Sequence, residues 1–407
     1  MNIGLVTVWF PSGGGNVSKS FELALHGTHR VFVYARGGAR SSDARWAGGN
    51  VTRAPSHPVS SGIHARHFTR WARRHRLDAV LFNEQHQWAG VVLAKRLGLL
   101  TGAYVDYYTQ DTVPFFDLYD FLVCNTKRHF GVFDRHPQGC YCPWGTDTGL
   151  YRPAERREPG PLRFLISAGW DGHYSRHAPY MDRRGAGPAM RAFRRVRGNS
   201  RLIVLSQDPL ERCPAEWAAL IREDSRIDFR HGTFDPTPYG IGDVYLYPSR
   251  LDGIGLTLPE ALSSGLPAIT TDSPPMNEFV RDGVNGLVVK VREHRGRPDG
   301  YYWAQSLCDE EDLVRACQFY VDNPGSAREQ GARARSLAEQ ELNWSKNAAF
   351  LPGWIATRRP LATPEDGAWR ALAERAVRYD NDHHPTPWRR MRRGAGLLLK
   401  QVLGRAR

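Results

Sequence analysis

The chain has 407 residues, of which 41% are hydrophobic and 11% aromatic. That is enough for two α/β domains with packed cores, and it excludes a disordered protein. A formal net charge of +13 favours an anionic partner, whether phosphorylated small molecule, acidic membrane surface or nucleic acid, without choosing among them. Residues 1–8 run directly into a strand-like segment with no basic leader, and no apolar stretch reaches membrane-spanning length, so the expected location is the cytoplasm.

In chain order, short apolar runs at residues 3–8, 31–34, 79–82, 102–105 and 121–124 predict strands. Helical patterns at 19–26, closed by Gly27, and 88–97, closed by Gly98, lie between them. Near-continuous apolar strands alternating with helices predict a parallel sheet covered on both faces. Residues 151–161, charged and proline-rich, read as an interdomain linker. The pattern then restarts with strands at 163–167, 202–205, 227–229, 244–247, 268–270 and 287–289, followed by helices at 310–321, 325–341 and 344–355. Two such α/β units leave a ligand-binding crevice outside the carboxyl ends of their strands. From Arg358 onward the patterning weakens, and this section either packs loosely or crosses back over the first domain. The six cysteines (Cys124, Cys140, Cys142, Cys213, Cys308, Cys317) form no C-x-x-C pair, which fits free thiols in a reducing compartment.

The most informative stretch runs from Asp243 to Pro267. A buried strand ends at Pro248, a loop with Gly253 and Gly255 follows, and a short helix begins near Thr257. Thr257 and Glu260 have capping-box spacing, Pro259 lies in the first turn, and Gly265 supplies the stop. The glycines let a ligand approach the backbone, with helix N-terminal amides facing an anion. Read structurally alone, Glu260 is a capping partner and Asp252 a turn residue.

These residues resemble the family 4 glycosyltransferases of GT-B fold (glycosyl transferases group 1). The family signature is E-G-F-G-L-x-x-x-E-A-x-x-x-G-x-P. This chain has Asp252-Gly-Ile-Gly-Leu256-x-x-x-Glu260-Ala261-x-x-x-Gly265-x-Pro267, with aspartate for the first glutamate. Trp144–Pro153 is similar to the family's hinge sequence N-G-V-D-x-x-x-F-x-P, and Asp272–Gly286 to its S-D-x-G-G-x-x-E-x-V…G-x-x-G run. The resemblance implies an α/β fold of two Rossmann-like domains facing each other across a cleft. Residues 1–150 would form the acceptor-side domain, 151–350 the nucleotide-sugar-binding domain, and 351–407 a helical, basic extension.

It also implies roles. Glu260 would accept hydrogen bonds from the ribose hydroxyls and Asp252 from the donor sugar, since each carboxylate accepts two hydroxyl donors. The backbone of Gly253, Ile254, Gly255, Leu256 and Thr257 would line the sugar and diphosphate. The family arginine after the first strand of the second domain is missing, since Trp170 follows Gly169. Asp182-Arg183-Arg184-Gly185 resembles the family's R-K-G, which puts Arg184 where a lysine would stand, with Arg183 or Arg176 replacing the lost charge. In the first domain Gly13, Gly14 and Gly15, with Asn16 opening the first helix, match the glycine-rich loop under the donor phosphates. A structural tight turn and a degenerate Walker A loop compete with that reading. Asp106, a catalytic candidate with Asp252 and Arg184, or Tyr107, an acceptor-side candidate, stands where the family has a histidine that contacts donor sugar or acceptor. His86 falls in another loop facing the cleft, as an acceptor-side candidate or a solvated residue.

The resemblance further implies retention of configuration through a dissociative, oxocarbenium-like step, with the nucleotide-sugar as co-substrate, no cofactor and no metal. Asp171, His173 and His177 read as an irregular insertion rather than a metal cluster. The acceptor would be a glycan, a lipid-linked molecule or a small molecule. Residues 388–407 hold seven Lys/Arg and no acidic residue. They read either as a helix on an anionic membrane, placing the protein peripherally at the inner face of the plasma membrane, or as a solvated or packed tail. A non-catalytic sugar-nucleotide-binding relative is the rival reading. No nucleic-acid-binding signature accompanies the charge, so no specific nucleic acid is expected.

Overall fold

The computed structural model describes residues 1–36, 44–55, 63–84, 87–155, 160–169 and 182–383. The chain divides into two compact units. One holds Met1–Cys124, Phe133–Cys140 and the residues from Ala349 onward, and the other holds Asn125–Val132 and Tyr141–Ala348.

The first unit begins β1 (Asn2–Val8), α1 (Gly13–Leu25), β2 (Arg30–Arg36), β3 (Val51–Arg53), α2 (Ala65–Arg74), β4 (Ala79–Phe82), α3 (Trp88–Arg96), β5 (Leu100–Tyr104) and β6 (Phe121–Cys124). The chain then forms α4 (Lys127–Val132), which belongs to the second unit, and β7 (Gly139–Tyr141). The second unit continues with β8 (Leu162–Gly169), α5 (Ala186–Arg195), β9 (Ser200–Ser206), α6 (Ala215–Glu223), β10 (Ile227–His231), β11 (Val244–Tyr247), α7 (Thr257–Ser263), β12 (Ala268–Thr271) and β13 (Gly286–Val289). A hairpin of β14 (Val291–Arg295) and β15 (Gln305–Cys308), then α8 (Glu310–Asp322), α9 (Pro324–Glu341) and α10 (Trp344–Asn347), complete it. The last helices, α11 (Leu351–Ala356) and α12 (Gly367–His383), lie in the first unit.

The first sheet has strand order β3-β2-β1-β4-β5-β6-β7 and the second β10-β9-β8-β11-β12-β13. Each therefore reverses direction of growth once, between β1 and β4 and between β8 and β11, which is the Rossmann-like arrangement whose switch point opens a crevice at the strand carboxyl ends. The central strands are buried on both faces, as their unbroken apolar sequence demands: β4, β6, β11 and β12 have no exposed residue. In the second unit Phe164, Ile166, Met190, Phe193, Leu202, Val204 and Trp217 form the centre of the core. All six cysteines are buried.

Two local expectations need correction. The first helix does not open at Asn16: it starts at Gly13, and the Ser12 hydroxyl caps it by accepting from Gly15 N at 3.1 Å. The three glycines are thus the first helical turn, where the missing side chains matter more than backbone freedom. Thr257 and Glu260 form no capping box either. Thr257 is already inside α7, and the capping position falls on Leu256, whose apolar side chain has no acceptor; Glu260 accepts instead from Tyr239. Among the described residues, no helix is long and apolar enough to cross a membrane.

Candidate functional site

In the second unit the loops after β8 and β11, neighbours across the switch point, bring the signature residues together. The loop before α5 explains the sequence Asp182-Arg-Arg-Gly185. The Asp182 carboxylate accepts from Ala186 N and Gly187 N, both at 2.8 Å, and so caps α5. Gly185 has φ 76°, and a Cβ there would sit 2.2 Å from the Pro248 carbonyl oxygen, so only glycine lets this loop lie against the end of β11. Arg183 and Arg184, both half-buried, are left to face the loop that follows β11. Gly169, also at positive φ, leaves room for the Arg184 guanidinium, which a Cβ would approach to 3.1 Å.

Asp252 follows β11 and keeps 13% of its side chain exposed. Its carboxylate accepts from the Tyr247 hydroxyl, from Arg183 Nη1 at 3.2 Å and from Gly253 N at 3.1 Å. Burial alone would raise this carboxyl, but the positive charges of Arg183 and Arg184, with the Tyr247 and Gly253 donors, outweigh it and hold the group below its ordinary value. Arg184 reaches Thr257 Oγ1 at 3.4 Å. Gly255, at φ 83°, lets the loop turn past the Tyr247 ring into α7.

One turn into α7, Glu260 is half-buried. The Tyr239 hydroxyl donates its single proton to Glu260 Oε2 at 2.7 Å and lies 3.1 Å from Thr257 O. Burial raises the Glu260 carboxyl to about 7, against the opposing donation of Tyr239, the charge of Arg184 and a hydrogen bond from Tyr151. Behind the two carboxylates runs a row of rings. Tyr151 and Tyr239 are 5.8 Å apart, Tyr239 and Tyr245 5.6 Å, and Tyr245 and Tyr247 5.8 Å. Sequence reasoning missed this row. The alternating Tyr245 and Tyr247 of β11 were the available signal, since a period of two puts both on one face of the strand.

In the first unit the corresponding strand ends gather Arg36 (β2), Gly14 (after β1), Glu84 (after β4) and Asp106 (after β5). Arg36 Nη2 donates to Asn83 O at 3.0 Å and Glu84 O at 2.5 Å. The Glu84 carboxylate lies so near Gly14 that a Cβ there would be 2.2 Å away. Burial, then the charge of Glu84, raises Asp106 to about 8. Gly13, Gly14, Gly15, Asn16, Asp106 and Tyr107 therefore belong to the first unit, whereas Arg183, Arg184, Asp252, the 253–257 loop and Glu260 belong to the second. His86, Asp171, His173, Arg176, His177 and the basic 388–407 segment lie outside the described residues.

Residues 236–296 match the family model of the glycosyl transferases group 1. That stretch holds Asp252, Glu260 and the loop between them, so the resemblance read from the motif stands over these residues, and the solved structures that follow show the GT-B fold. It is 35% identical over 86 residues to the UDP-N-acetylglucosamine–peptide N-acetylglucosaminyltransferase GtfA subunit of Streptococcus pneumoniae serotype 4, a match spanning 21% of this chain and 16% of the relative's length. Sucrose-phosphate synthase from Thermosynechococcus elongatus aligns with a TM-score of 0.67 at 15% identity, over 88% of this chain and 98% of that one. Anabaena HepE in complex with UDP and glucose aligns with a TM-score of 0.67 at 13% identity, over 88% and 100%. WaaG, a glycosyltransferase involved in lipopolysaccharide biosynthesis, gives 0.58 at 17% identity, over 86% and 99%. Similarity at these identities is one of fold.

Proposed function

We propose that this chain is a glycosyltransferase that moves a sugar from a nucleotide diphosphate sugar to a glycan, lipid-linked or small-molecule acceptor, with retention of configuration and without a metal. The reading is carried by one observation: two carboxylates, Asp252 and Glu260, flank a glycine-bearing loop at the β8/β11 switch point beside two arginines, Arg183 and Arg184. Such a group of acceptors, cations and backbone amides matches a molecule with hydroxyls at both ends and a diphosphate between them.

In this reading Glu260 accepts from the ribose hydroxyls and Asp252 from the sugar. The amides of Gly253, Ile254, Gly255, Leu256 and Thr257 line the sugar and phosphates. Arg184 and Arg183 stabilise the charge that develops as the bond from the anomeric carbon to the phosphate oxygen breaks. The acceptor oxygen bonds that carbon, and its proton passes to the departing diphosphate. In the first unit Asp106 acts at the reaction centre and Tyr107 serves the acceptor, while Gly13 and Gly14 offer amides to an anion, those of Gly15 and Asn16 being held by Ser12. The basic charge of residues 388–407 supports a cytoplasmic protein docked on an anionic membrane surface.

The test is nucleoside diphosphate release from UDP-, GDP-, ADP- and dTDP-sugars, with UDP-sugars first because the relatives' names carry UDP. Release from one class is expected, lowered about a hundredfold or more by Glu260→Ala. Binding without release from any of the four favours the non-catalytic relative.

A further inference from the structure

The segment α4, which leaves the first unit's chain at Asn125 and returns to it at Phe133, grips the back of the signature loop. Arg128 Nη2 donates to the Asp252 carbonyl at 2.5 Å and Nη1 to the Pro274 carbonyl at 2.7 Å, with the guanidinium 5.1 Å from the centre of the Trp303 ring. His129 Nε2 lies 3.2 Å from the Gly253 carbonyl. A carbonyl only accepts, so Nε2 carries a proton. Burial pushes His129 down to about 3, with the charge of Arg128 adding to the effect, so the ring is neutral near pH 7. The grip is held from the other side as well: the Glu278 carboxylate accepts from Lys127 N at 2.6 Å and Arg128 N at 2.9 Å. Two consecutive loop carbonyls are thus tied by two consecutive side chains. In a trans peptide the N–H points opposite to the C=O, so fixing the Gly253 carbonyl on His129 aims the Ile254 N–H away from α4.

We infer that Arg128 and His129 are positioning residues that pre-set the Asp252–Ile254 backbone for a sugar nucleotide. The inference rests on the donor-site reading above. Neither residue needs to touch the ligand; each removes loop freedom that binding would otherwise have to freeze out.

Two measurements on the full chain decide it, using Arg128→Ala, Arg128→Lys, His129→Ala and His129→Gln, with Glu260→Ala as reference. In the ligand-free protein, amide exchange at 253–256 should accelerate at least about tenfold in both alanine variants, while the β8, β9 and β11 amides keep wild-type protection. Titration with the four sugar-nucleotide classes should show affinity about tenfold to a hundredfold lower in the alanine variants. His129→Gln, which keeps an N–H donor, should recover most of it. Arg128→Lys should recover less, because one ammonium does not span both carbonyls. Wild-type exchange and affinity in the alanine variants overturn the inference, as does a uniform rise in exchange across the second unit, which marks general destabilisation. If Glu260→Ala binds as well as wild type, or nothing in the panel binds the wild type, the donor-site reading fails instead, and the exchange data still judge the grip.

Discussion

Glu260 carries two pH signatures of opposite use. Its carboxyl is raised from an ordinary 4.5 to about 7, so the folded chain holds a proton that the unfolded chain has released. Stability should therefore be highest below about pH 4.5 as far as this group is concerned, and fall as pH rises toward 7. Ribose hydroxyls favour the ionised form, and the ionised fraction grows from about a tenth at pH 6 to about nine tenths at pH 8. Sugar-nucleotide affinity measured by calorimetry should rise up to about tenfold over that interval in wild type and stay flat in Glu260→Gln. Asp252 behaves differently, because Tyr247 and Arg183 keep it ionised. Tyr247→Phe should cost about 1.5–3 kcal/mol in denaturant unfolding, the worth of a hydrogen bond to a charged group. At this scale the two carboxylates and the arginine pair were singled out as candidates by the motif resemblance, because the stretches that carry it are contiguous in sequence. Tyr151, Tyr239, Arg128 and His129 were not: each reaches the loop only through tertiary structure, from residues about 20 to 125 positions away.

The elements that carry the site are set by turn geometry more than by helix propensity. Gly185 and Gly283 both have positive φ, at 76° and 70°, yet a Cβ at Gly185 meets the Pro248 carbonyl whereas one at Gly283 meets nothing within 4 Å. Gly283→Ala should cost only the left-handed backbone penalty, about 1–2 kcal/mol, and Gly185→Ala clearly more. Equilibrium urea unfolding separates the two, and equal losses would show that the close packing of the 182–185 loop on β11 is unimportant. The central strands were readable because burial on both faces leaves an unbroken apolar run. The edge strand β3, with three half-buried residues, and the hairpin strand β14, largely exposed and charged, carry no such signal. The helix start at Gly13 was hidden for a different reason: glycine is a poor helix former, so three in a row read as loop, and the Ser12 cap had to outweigh them.

On the scale of the whole molecule, the chain's last described elements are structural parts of the first unit. His29 lies 3.0 Å from the Pro352 carbonyl, Leu361 N donates to Asp120 at 2.8 Å, and Asp380 accepts from Ala89 N at 2.8 Å. Ending the chain at Ala348 should therefore strip protection from the β1, β4 and β5 amides while the second unit still folds and binds a sugar nucleotide. Exchange followed by mass spectrometry reads both effects. The weak patterning beyond Arg358 left a return to the first domain as one of two alternatives, because helix α12 buries only Trp369, Ala373, Ala376 and Asp380, a narrow stripe in a polar sequence. The account as a whole turns on the acidic pair of the second unit. A crystal structure with the best-bound sugar nucleotide tests it directly: ribose hydroxyls should lie within hydrogen-bonding reach of Glu260, with phosphates against Arg183 and Arg184. A nucleotide seated away from the 252–260 loop would contradict it.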